Sequence, residues 1–297
     1  MGNIIRNDVK VTVIIASYNH AAYIEKSIRS VLDQTYPNIE LLVVDDGSSD
    51  DSAAIIGRLQ AEYGFDFKSQ ANQGLTHTLN TAIARSTGSF IISFGSDDIM
   101  LPERIATQVE YMLDKPEVGI CAGNYEIIDG RGDLYPERRQ RRNVPFRRLT
   151  FDDLFLDRYP FPSAATMMMR REAFEQVGGF DPDIPLEDLL ISLKITDAGY
   201  FVDVLSCMVS QYRQHPTNTY KNYRFMVRNV LRTYALFKDH PRHDAVKYRF
   251  LNSMFLKTAN RDREFARELL AQLPIKFWGR KTLRGLGRLY FSSAPKH

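Results

Sequence analysis

The sequence has few cysteines and no long hydrophobic run. Its 297 residues include only Cys121 and Cys207, which are far apart and form no Cys-x-x-Cys pair. This excludes a disulfide framework and a cysteine-based zinc site, and it fits a reducing compartment. No window approaches about 18 uninterrupted apolar residues, so we expect no membrane span. Residues 1–10 lack the apolar core of a secretory signal, and we therefore expect a cytoplasmic protein.

The net charge of +3 conceals two oppositely charged parts of the chain. Residues 216–297 carry 18 Lys+Arg against 5 Asp+Glu, a net of +13, which leaves a net of −10 for residues 1–215. A basic segment attached to an acidic body indicates that the segment faces a polyanion. We find no motif that reads a nucleic-acid groove, so we do not expect nucleic acid to be that partner.

Apolar runs of strand length alternate with helical patterns through most of the chain. Strands are expected at 11–16, 40–45, 65–68, 90–94, 118–123, 167–170 and 201–208. Helices over 23–32, 53–63, 75–84, 101–113, 171–176 and 186–198 separate them. This order predicts an α/β fold, a mostly parallel sheet flanked by helices. Four helical patterns follow from Tyr220 onward, so we predict two domains, 1–219 and a basic helical region at 220–297.

One segment interrupts this alternation. Residues 131–148 contain Glu137-Arg-Arg-Gln-Arg-Arg142 and show no apolar period. We interpret the segment as a mobile basic loop, which is either a lid or a solvated connection.

Two pairs of carboxylates directly follow predicted strands: Asp45-Asp46 and Asp97-Asp98. The carboxyl ends of parallel strands meet at one edge of a sheet, and ligands bind there. Adjacent carboxylates suit Mg²⁺ or Mn²⁺, which take their remaining oxygens from a phosphate. A carboxylate there can also accept a hydrogen bond from a base or a ribose. The alternative is that both pairs only form turns and helix caps, since Asp and Ser favour both.

Several motifs, in order, resemble those of the family 2 glycosyltransferases with the GT-A fold. The resemblance covers about residues 10–219 and leaves the last 75 or so without a motif. The matching motifs are Val-Thr-Val-Ile-Ile-Ala-Ser-Tyr-Asn-His (11–20), Ser-Val-Leu-Asp-Gln-Thr-Tyr-Pro-Asn-Ile-Glu-Leu-Leu-Val-Val-Asp-Asp-Gly-Ser (30–48), Asn-Gln-Gly (72–74), Ser-Asp-Asp (96–98), Gly-Gly-Phe-Asp (178–181), Glu-Asp (187–188) and Tyr-Arg-Gln-His-Pro-Thr-Asn (212–218).

The resemblance implies a bacterial-type inverting glycosyltransferase that acts in surface-polysaccharide synthesis. Such an enzyme moves a sugar from a nucleotide-sugar, usually a UDP-sugar, to a saccharide or lipid-linked oligosaccharide, with Mn²⁺ or Mg²⁺ as cofactor. The cation stabilises the charge that builds on the leaving phosphate. A carboxylate takes the proton of the attacking hydroxyl.

The resemblance also implies a role for individual residues. Asp188 is the expected general base, and Glu187 and Arg213 are expected to contact the acceptor or the donor sugar. Asp98 and His215 are the expected metal ligands. The expected nucleotide contacts are Ser17, Tyr18, Asp46, Asn72, Gly74 and Asp97.

Two positions depart from the family pattern. Leu79 stands where relatives often carry Arg, so a phosphate or sugar contact is missing or is supplied by the arginines of 138–142. The metal motif is Ser-Asp-Asp rather than Asp-x-Asp, which leaves Asp98 as the sole direct carboxylate ligand. Two alternatives stay open: a silent sugar-nucleotide-binding subunit, and a sugar nucleotidyltransferase. The second conflicts with the loop 17–20, which is not a Gly-rich phosphate loop.

The last helical pattern, 276–291, interleaves apolar and aromatic residues with cations. Such a helix can lie on an anionic membrane surface, which would place the protein on the inner face of the cytoplasmic membrane. The alternative is a helix that packs on the rest of the protein with its cations in solvent.

Overall fold

The computed structural model describes residues 8–135 and 141–291. It divides into two compact units, the first made of residues up to 154 and 158–215, and the second of 155–157 and the residues from 216 onward. The domain boundary expected after residue 219 stays a prediction.

The first unit is built on a ten-stranded sheet. Its strands are β1 (Val11–Ser17), β2 (Ile39–Asp45), β3 (Asp66–Ser69), β4 (Phe90–Gly95), β5 (Ile99–Met100), β6 (Val118–Ile128), β7 (Arg141–Arg142), β8 (Arg147–Leu149), β9 (Met168–Arg170) and β10 (Phe201–Arg213). Their order is β3-β2-β1-β4-β9-β6-β10-β5, while β7 pairs with β6 and β8 with β10.

Strands β3, β2, β1 and β4 are parallel, so their carboxyl ends lie at one edge of the sheet. Ser17 pairs with Asp45, and Ala16 pairs with Gly95. The central strands are nearly continuous apolar runs because helices cover both faces. Beyond β4 the sheet is mixed, since β9 runs antiparallel to both β4 and β6.

Seven helices accompany the described part of this sheet. They are α1 (Ile24–Leu32), α2 (Ser52–Tyr63), α3 (Leu75–Arg85), α4 (Arg104–Leu113), α5 (Phe151–Phe155), α6 (Arg171–Gln176) and α7 (Glu187–Asp197). The α/β architecture expected from the alternating pattern is confirmed.

The second unit consists mainly of α8 (Tyr223–Ala235), α9 (His243–Thr258), α10 (Arg263–Ala271) and α11 (Arg280–Phe291). The helical C-terminal region is therefore confirmed. Leu251, Phe255, Leu269 and Leu289 are buried in its core. No helix within 8–135 and 141–291 combines the length and the apolar character needed to cross a bilayer.

The segment 131–148 differs from the single basic loop expected. Residues 141–142 pair with Tyr125–Glu126 of β6, and residues 147–149 pair with β10. Backbone pairing to two long strands gives this stretch its structure, although its sequence has no apolar period. Residues 136–140, which include Arg138 and Arg139 of the predicted basic lid, lie outside the described residues.

Candidate functional site

The loop after β1 and the turn after β2 are tied together by hydrogen bonds. The backbone N–H of Asn19 donates to Ser48 Oγ (2.9 Å), and Asn19 Oδ1 accepts from the Ser49 N–H (2.8 Å). The His20 N–H donates to Ser52 Oγ (3.0 Å). Asn19 has a φ of 55°, a region that Asn tolerates better than most residues. The two loops therefore form one hydrogen-bonded surface at the edge of the sheet.

Asp46 holds the next loop against this surface. Its carboxylate accepts hydrogen bonds from Gln70 Nε2 (2.9 Å), the Gln73 N–H (3.0 Å) and the Gly74 N–H (2.9 Å). Burial alone would raise the pKa of Asp46, but these hydrogen bonds together bring that pKa below its usual value. Asp46 is therefore an ionised acceptor at neutral pH.

The same edge holds the remaining expected nucleotide contacts. A Cβ at Gly47 would lie 2.7 Å from the backbone N of Asn72, so only glycine allows this approach of the two loops. Asn72 is exposed, and Tyr18 is 52% exposed. Ser17 is buried, and its Oγ has no hydrogen-bond partner among the described residues. A buried hydroxyl without a partner is costly, which makes Ser17 a candidate contact for a ligand.

Asp97 and Asp98 are adjacent in sequence but have opposite environments. Asp97 is partly exposed, and its Oδ2 lies 2.8 Å from Nε2 of the buried His215. Asp98 is buried, and its Oδ1 accepts from the Arg213 N–H (2.8 Å). Burial, and then the charge of Asp97, raise the pKa of Asp98 well above its usual range. The structure thus joins His215 to Asp97, and the metal role expected for Asp98 stays a prediction.

A histidine from the β1 loop completes a cluster with this pair. One ring nitrogen of His20, one of His215 and one carboxylate oxygen of Asp97 lie within 4.8 Å of one another. His20 Nδ1 lies 2.6 Å from Ser96 Oγ. Burial lowers the pKa of His20, although the charge of Asp97 partly opposes this. Imidazole nitrogen and carboxylate oxygen together form a donor set that suits divalent transition-metal ions, Mn²⁺ among them.

Sequence reasoning did not find His20 as a site residue. It is 77 residues from Asp97 in sequence, and it stands in a loop that indicated only a nucleotide contact. The imidazole next to the Ser17-Tyr18 motif was the one available signal.

Arg213 lies behind the Asp97–Asp98 turn. Besides its backbone bond to Asp98, its Nε donates to the Asp97 carbonyl (2.6 Å) and its Nη1 to the Asp129 carbonyl (3.0 Å). Its guanidinium carbon lies 5.0 Å from the centre of the Tyr23 ring. These contacts hold the turn in place, and the sugar contact expected of Arg213 stays a prediction.

A second acidic pair, Glu187 and Asp188, begins α7 and lines a small cavity with Ser93, Met167 and Phe180 among others. Asp188 Oδ1 accepts from the Leu189 N–H (2.8 Å).

The carboxyl groups of Glu187 and Asp188 are buried, although each residue as a whole keeps some exposed surface. Burial, and then the charge of Asp188, raise the pKa of Glu187 to about 8. Burial also raises the pKa of Asp188. Glu187 is therefore largely protonated at neutral pH, next to an Asp188 whose own pKa is raised by burial.

The Gly178-Gly179 turn is held close to this cavity by α3. Asn80 Nδ2 donates to the Phe180 carbonyl (2.8 Å), and the Phe180 N–H donates to Asn80 Oδ1 (3.2 Å). Leu79 is buried in the core, so this position offers no polar contact to a ligand.

Known proteins are similar to the part of the chain that forms the first unit. The profile for Glycosyl transferase family 2 matches residues 12–178. An uncharacterised glycosyltransferase of Nostoc sp. is 33% identical over 177 residues, which are 59% of this chain and 55% of that protein. The chain thus matches about half the length of that relative, and 29% of one from Rickettsia conorii.

One relative carries a detailed name. The UDP-Glc:alpha-D-GlcNAc-diphosphoundecaprenol beta-1,3-glucosyltransferase WfgD of Escherichia coli is 37% identical over 123 residues, 41% of this chain and 48% of that protein.

Solved structures agree on the fold. S. aureus TarS in complex with UDP-GlcNAc superposes with a TM-score of 0.63 at 17% identity, covering 90% of this chain and 82% of that one. The mannosyltransferase PcManGT of Pyrobaculum calidifontis, in complex with GDP-Man and Mn²⁺, gives 0.62 at 19% identity, with 95% and 85% covered. The expected GT-A fold is confirmed.

Proposed function

The chain belongs to glycosyl transferase family 2, and on that premise we propose that it transfers a sugar from a nucleotide-sugar to a saccharide or lipid-linked acceptor. The observation that carries this proposal is the set of three groups that the sheet positions, two after the carboxyl ends of β2 and β4 and one beside β4. They are the ionised Asp46, the Asp97–His215 pair and the Asp188 cavity, which is also lined by Ser93 of β4.

The donor's nucleotide binds over the hydrogen-bonded loops after β1 and β2. Asp46 Oδ2 accepts one hydrogen bond from Gly74 in the described structure, so it can accept a second from the N–H of a base. The Ser17 hydroxyl supplies a further contact. UDP is the simplest assignment because the names of WfgD and of the TarS complex contain UDP-sugars. The PcManGT complex contains GDP-Man, so GDP-sugars are the second candidates.

Asp97 and His215 would hold a divalent cation, Mn²⁺ or Mg²⁺, which would supply positive charge for the leaving diphosphate. When bound, the cation neutralises charge that develops on the leaving phosphate. Asp98 supports the turn from inside through its bond to the Arg213 backbone.

Asp188 acts as the base. The acceptor oxygen bonds to the anomeric carbon as the bond from that carbon to the diphosphate breaks, and the hydroxyl proton passes to Asp188. A protonated Glu187 keeps one negative charge rather than two in the cavity, which favours an Asp188 that is ready to accept a proton. A single displacement of this kind inverts the anomeric centre.

The second unit provides the contact with a membrane-borne acceptor. One face of α11 is buried through Thr282, Gly285 and Leu289, while Leu283 and Phe291 are 64% and 89% exposed. Arg280, Lys281 and Arg284 are exposed on the same helix. Exposed apolar side chains among cations suit the interface of an anionic bilayer. Since WfgD is named for a diphosphoundecaprenol-linked acceptor, such a surface is where a similar acceptor would be found.

The test of the transferase activity is nucleotide release from a panel of UDP-sugars and GDP-mannose, with and without Mn²⁺. We expect slow, metal-dependent hydrolysis of one donor, and faster release when a lipid-linked saccharide is added. Donor binding without release under either condition would favour the silent subunit. Release of pyrophosphate from a nucleoside triphosphate and a sugar phosphate would favour the nucleotidyltransferase.

The membrane contact is tested by flotation with vesicles of anionic and of neutral lipid. We expect the protein to float with anionic vesicles only, and Leu283→Glu with Phe291→Glu to abolish this. A protein that stays in the soluble fraction with both vesicles would contradict the proposal.

A further inference from the structure

His20 is a cluster member that the assignment of a cation to Asp97 and His215 does not require. It lies in the loop that follows β1, far from Asp97 and His215 in the sequence. Its ring nitrogen lies within the same 4.8 Å that encloses the other two donor atoms. A donor atom so close to a cation bound by the other two would be either a ligand or an obstacle.

One backbone contact and two contacts of the ring hold this imidazole in place. Its backbone N–H donates to Ser52 Oγ, and its Nδ1 lies 2.6 Å from Ser96 Oγ. Its ring meets the Tyr23 ring edge-on, with the centroids 5.7 Å apart. A ligating histidine in most metal sites has its second ring nitrogen bound to a polar partner, which orients the ring and fixes its tautomer. Ser96 is in the place of that partner.

We propose that His20 is a direct ligand, through Nε2, of the divalent cation that Asp97 and His215 bind, and that it makes this site select Mn²⁺ over Mg²⁺. The inference rests on the metal site of the proposed function. It adds a residue from the nucleotide loop to that site.

The selectivity follows from the donor atoms. With His20 the protein supplies two imidazole nitrogens and one carboxylate, whereas without it the set is one of each. Mg²⁺ prefers oxygen, keeps several waters and gains little from an added imidazole. Mn²⁺ takes carboxylate and water but binds nitrogen ligands more tightly than Mg²⁺ does, as its place in the series of transition metals implies. The second nitrogen therefore strengthens binding of Mn²⁺ far more than binding of Mg²⁺.

The experiment compares wild type with His20→Asn and a matched control, His77→Asn, which removes an exposed imidazole from α3. Mn²⁺ and Mg²⁺ affinities are measured by titration in the presence of UDP and, separately, of GDP. Pulsed EPR of bound Mn²⁺ then counts the imidazole nitrogens coupled to the metal. Circular dichroism and thermal unfolding establish that each variant is folded.

In wild type and in His77→Asn we expect two coupled nitrogens, and in His20→Asn one. Mn²⁺ affinity should fall about tenfold or more in His20→Asn, since even partners of ligands cost 10–100-fold. Mg²⁺ affinity should change by less than about threefold, because Mg²⁺ can replace the imidazole with water. His20→Glu replaces the imidazole nitrogen with a carboxylate oxygen. This variant should bind Mn²⁺ with one coupled imidazole nitrogen, and the ratio of its Mn²⁺ affinity to its Mg²⁺ affinity should be smaller than in wild type.

Two results would overturn the inference, and they differ in what they say of the proposed function. If His20→Asn keeps two coupled nitrogens and wild-type Mn²⁺ affinity, His20 is no ligand, but the site at Asp97 and His215 stands. If wild type binds neither cation with either nucleotide, the metal site of the proposed function fails as well.

Discussion

The two acidic pairs of the first unit, Asp97-Asp98 and Glu187-Asp188, differ in how the fold separates their charges. At the end of β4 the turn sends one carboxylate outward to His215 and the other inward to the Arg213 backbone. At the start of α7 both carboxylates line one cavity. In the first arrangement each carboxylate has its own hydrogen-bond partner, although burial and the charge of Asp97 still raise the pKa of Asp98. In the second, two carboxylates lie at one cavity and burial raises the pKa of both.

The partners around a buried carboxylate decide what that carboxylate can do. An acid that accepts a hydrogen bond from a neighbour, as Asp98 does from the Arg213 N–H, is fixed in orientation and can support a turn even where burial raises its pKa. At the start of α7, burial and the charge of Asp188 raise the pKa of Glu187 to about 8, so this group can gain or lose a proton near neutral pH. The proposed function therefore assigns metal binding and proton transfer to two separate acidic pairs, although both use the same chemical group.

The largest effect is expected from Asp188→Asn. Removing the base should lower the rate of transfer about 10²–10⁴-fold, the usual contribution of a general base, while UDP affinity stays within about twofold. Nucleotide release and calorimetric binding measure the two quantities. Glu172→Gln, which changes an exposed acid at the start of α6, is the matched control and should keep the wild-type rate. An unimpaired Asp188→Asn would assign proton transfer to another group.

The next test separates the neighbours at β4. Asp97→Asn should lower Mn²⁺ affinity about tenfold or more, because it replaces the charged oxygen that meets His215. Asp98→Asn should change it by less than about threefold, since Asn can still accept from the Arg213 N–H. The reverse order of effects in a Mn²⁺ titration would restore Asp98 as the metal ligand, as the sequence motif predicted.

A smaller effect concerns stability. Asp98→Ala should lower the free energy of unfolding by about 1–3 kcal/mol, because the Arg213 N–H loses its buried acceptor. Asp97→Ala should cost less, since Asp97 is partly exposed and water can replace its hydrogen bond. Urea unfolding of both variants measures this, and equal losses would contradict the inward and outward assignment.

The smallest effect is a pH dependence of stability. The folded-state pKa of Glu187 is raised to about 8 from 4.5. Between about pH 4.5 and pH 8 the folded state therefore binds more protons than the unfolded state. The free energy of unfolding falls as the pH rises through this range. Glu187→Gln should remove this decline, and its melting temperature should exceed that of wild type by a few degrees at pH 8.5 but not at pH 4.5. Parallel slopes in the two proteins would show that Glu187 titrates normally.

Much of the fold could be predicted because its signals are local. The strands β1, β2 and β4 are apolar runs between turn residues, and the structure places them within one residue of the prediction. Strands β7 and β8 could not be predicted because their pairing partners, not their own side chains, make them strands. The prediction likewise ended the last strand at 208, while pairing with β6 carries β10 on to Arg213.

The site divides along the same line. The sequence could place Asp97 and Asp98 at the end of β4, but it could not tell which carboxylate turns outward. That choice depends on Arg213, which is 115 residues further along the chain. His20 and His215 come together only through the sheet order. Motifs identify which residues are chemically able to act, and long-range packing decides which of them meet.

The hydrogen bonds that join the β1 loop to the β2 turn should favour tight binding of a donor. Side chains such as Asn19 and Ser52 already fix the backbone that would face the nucleotide. Ordering a free loop costs about 1–2 kcal/mol of entropy per residue, and here that cost falls on folding rather than on binding. We therefore expect the nucleotide to meet a rigid surface, so that little of its binding free energy is lost to conformational entropy.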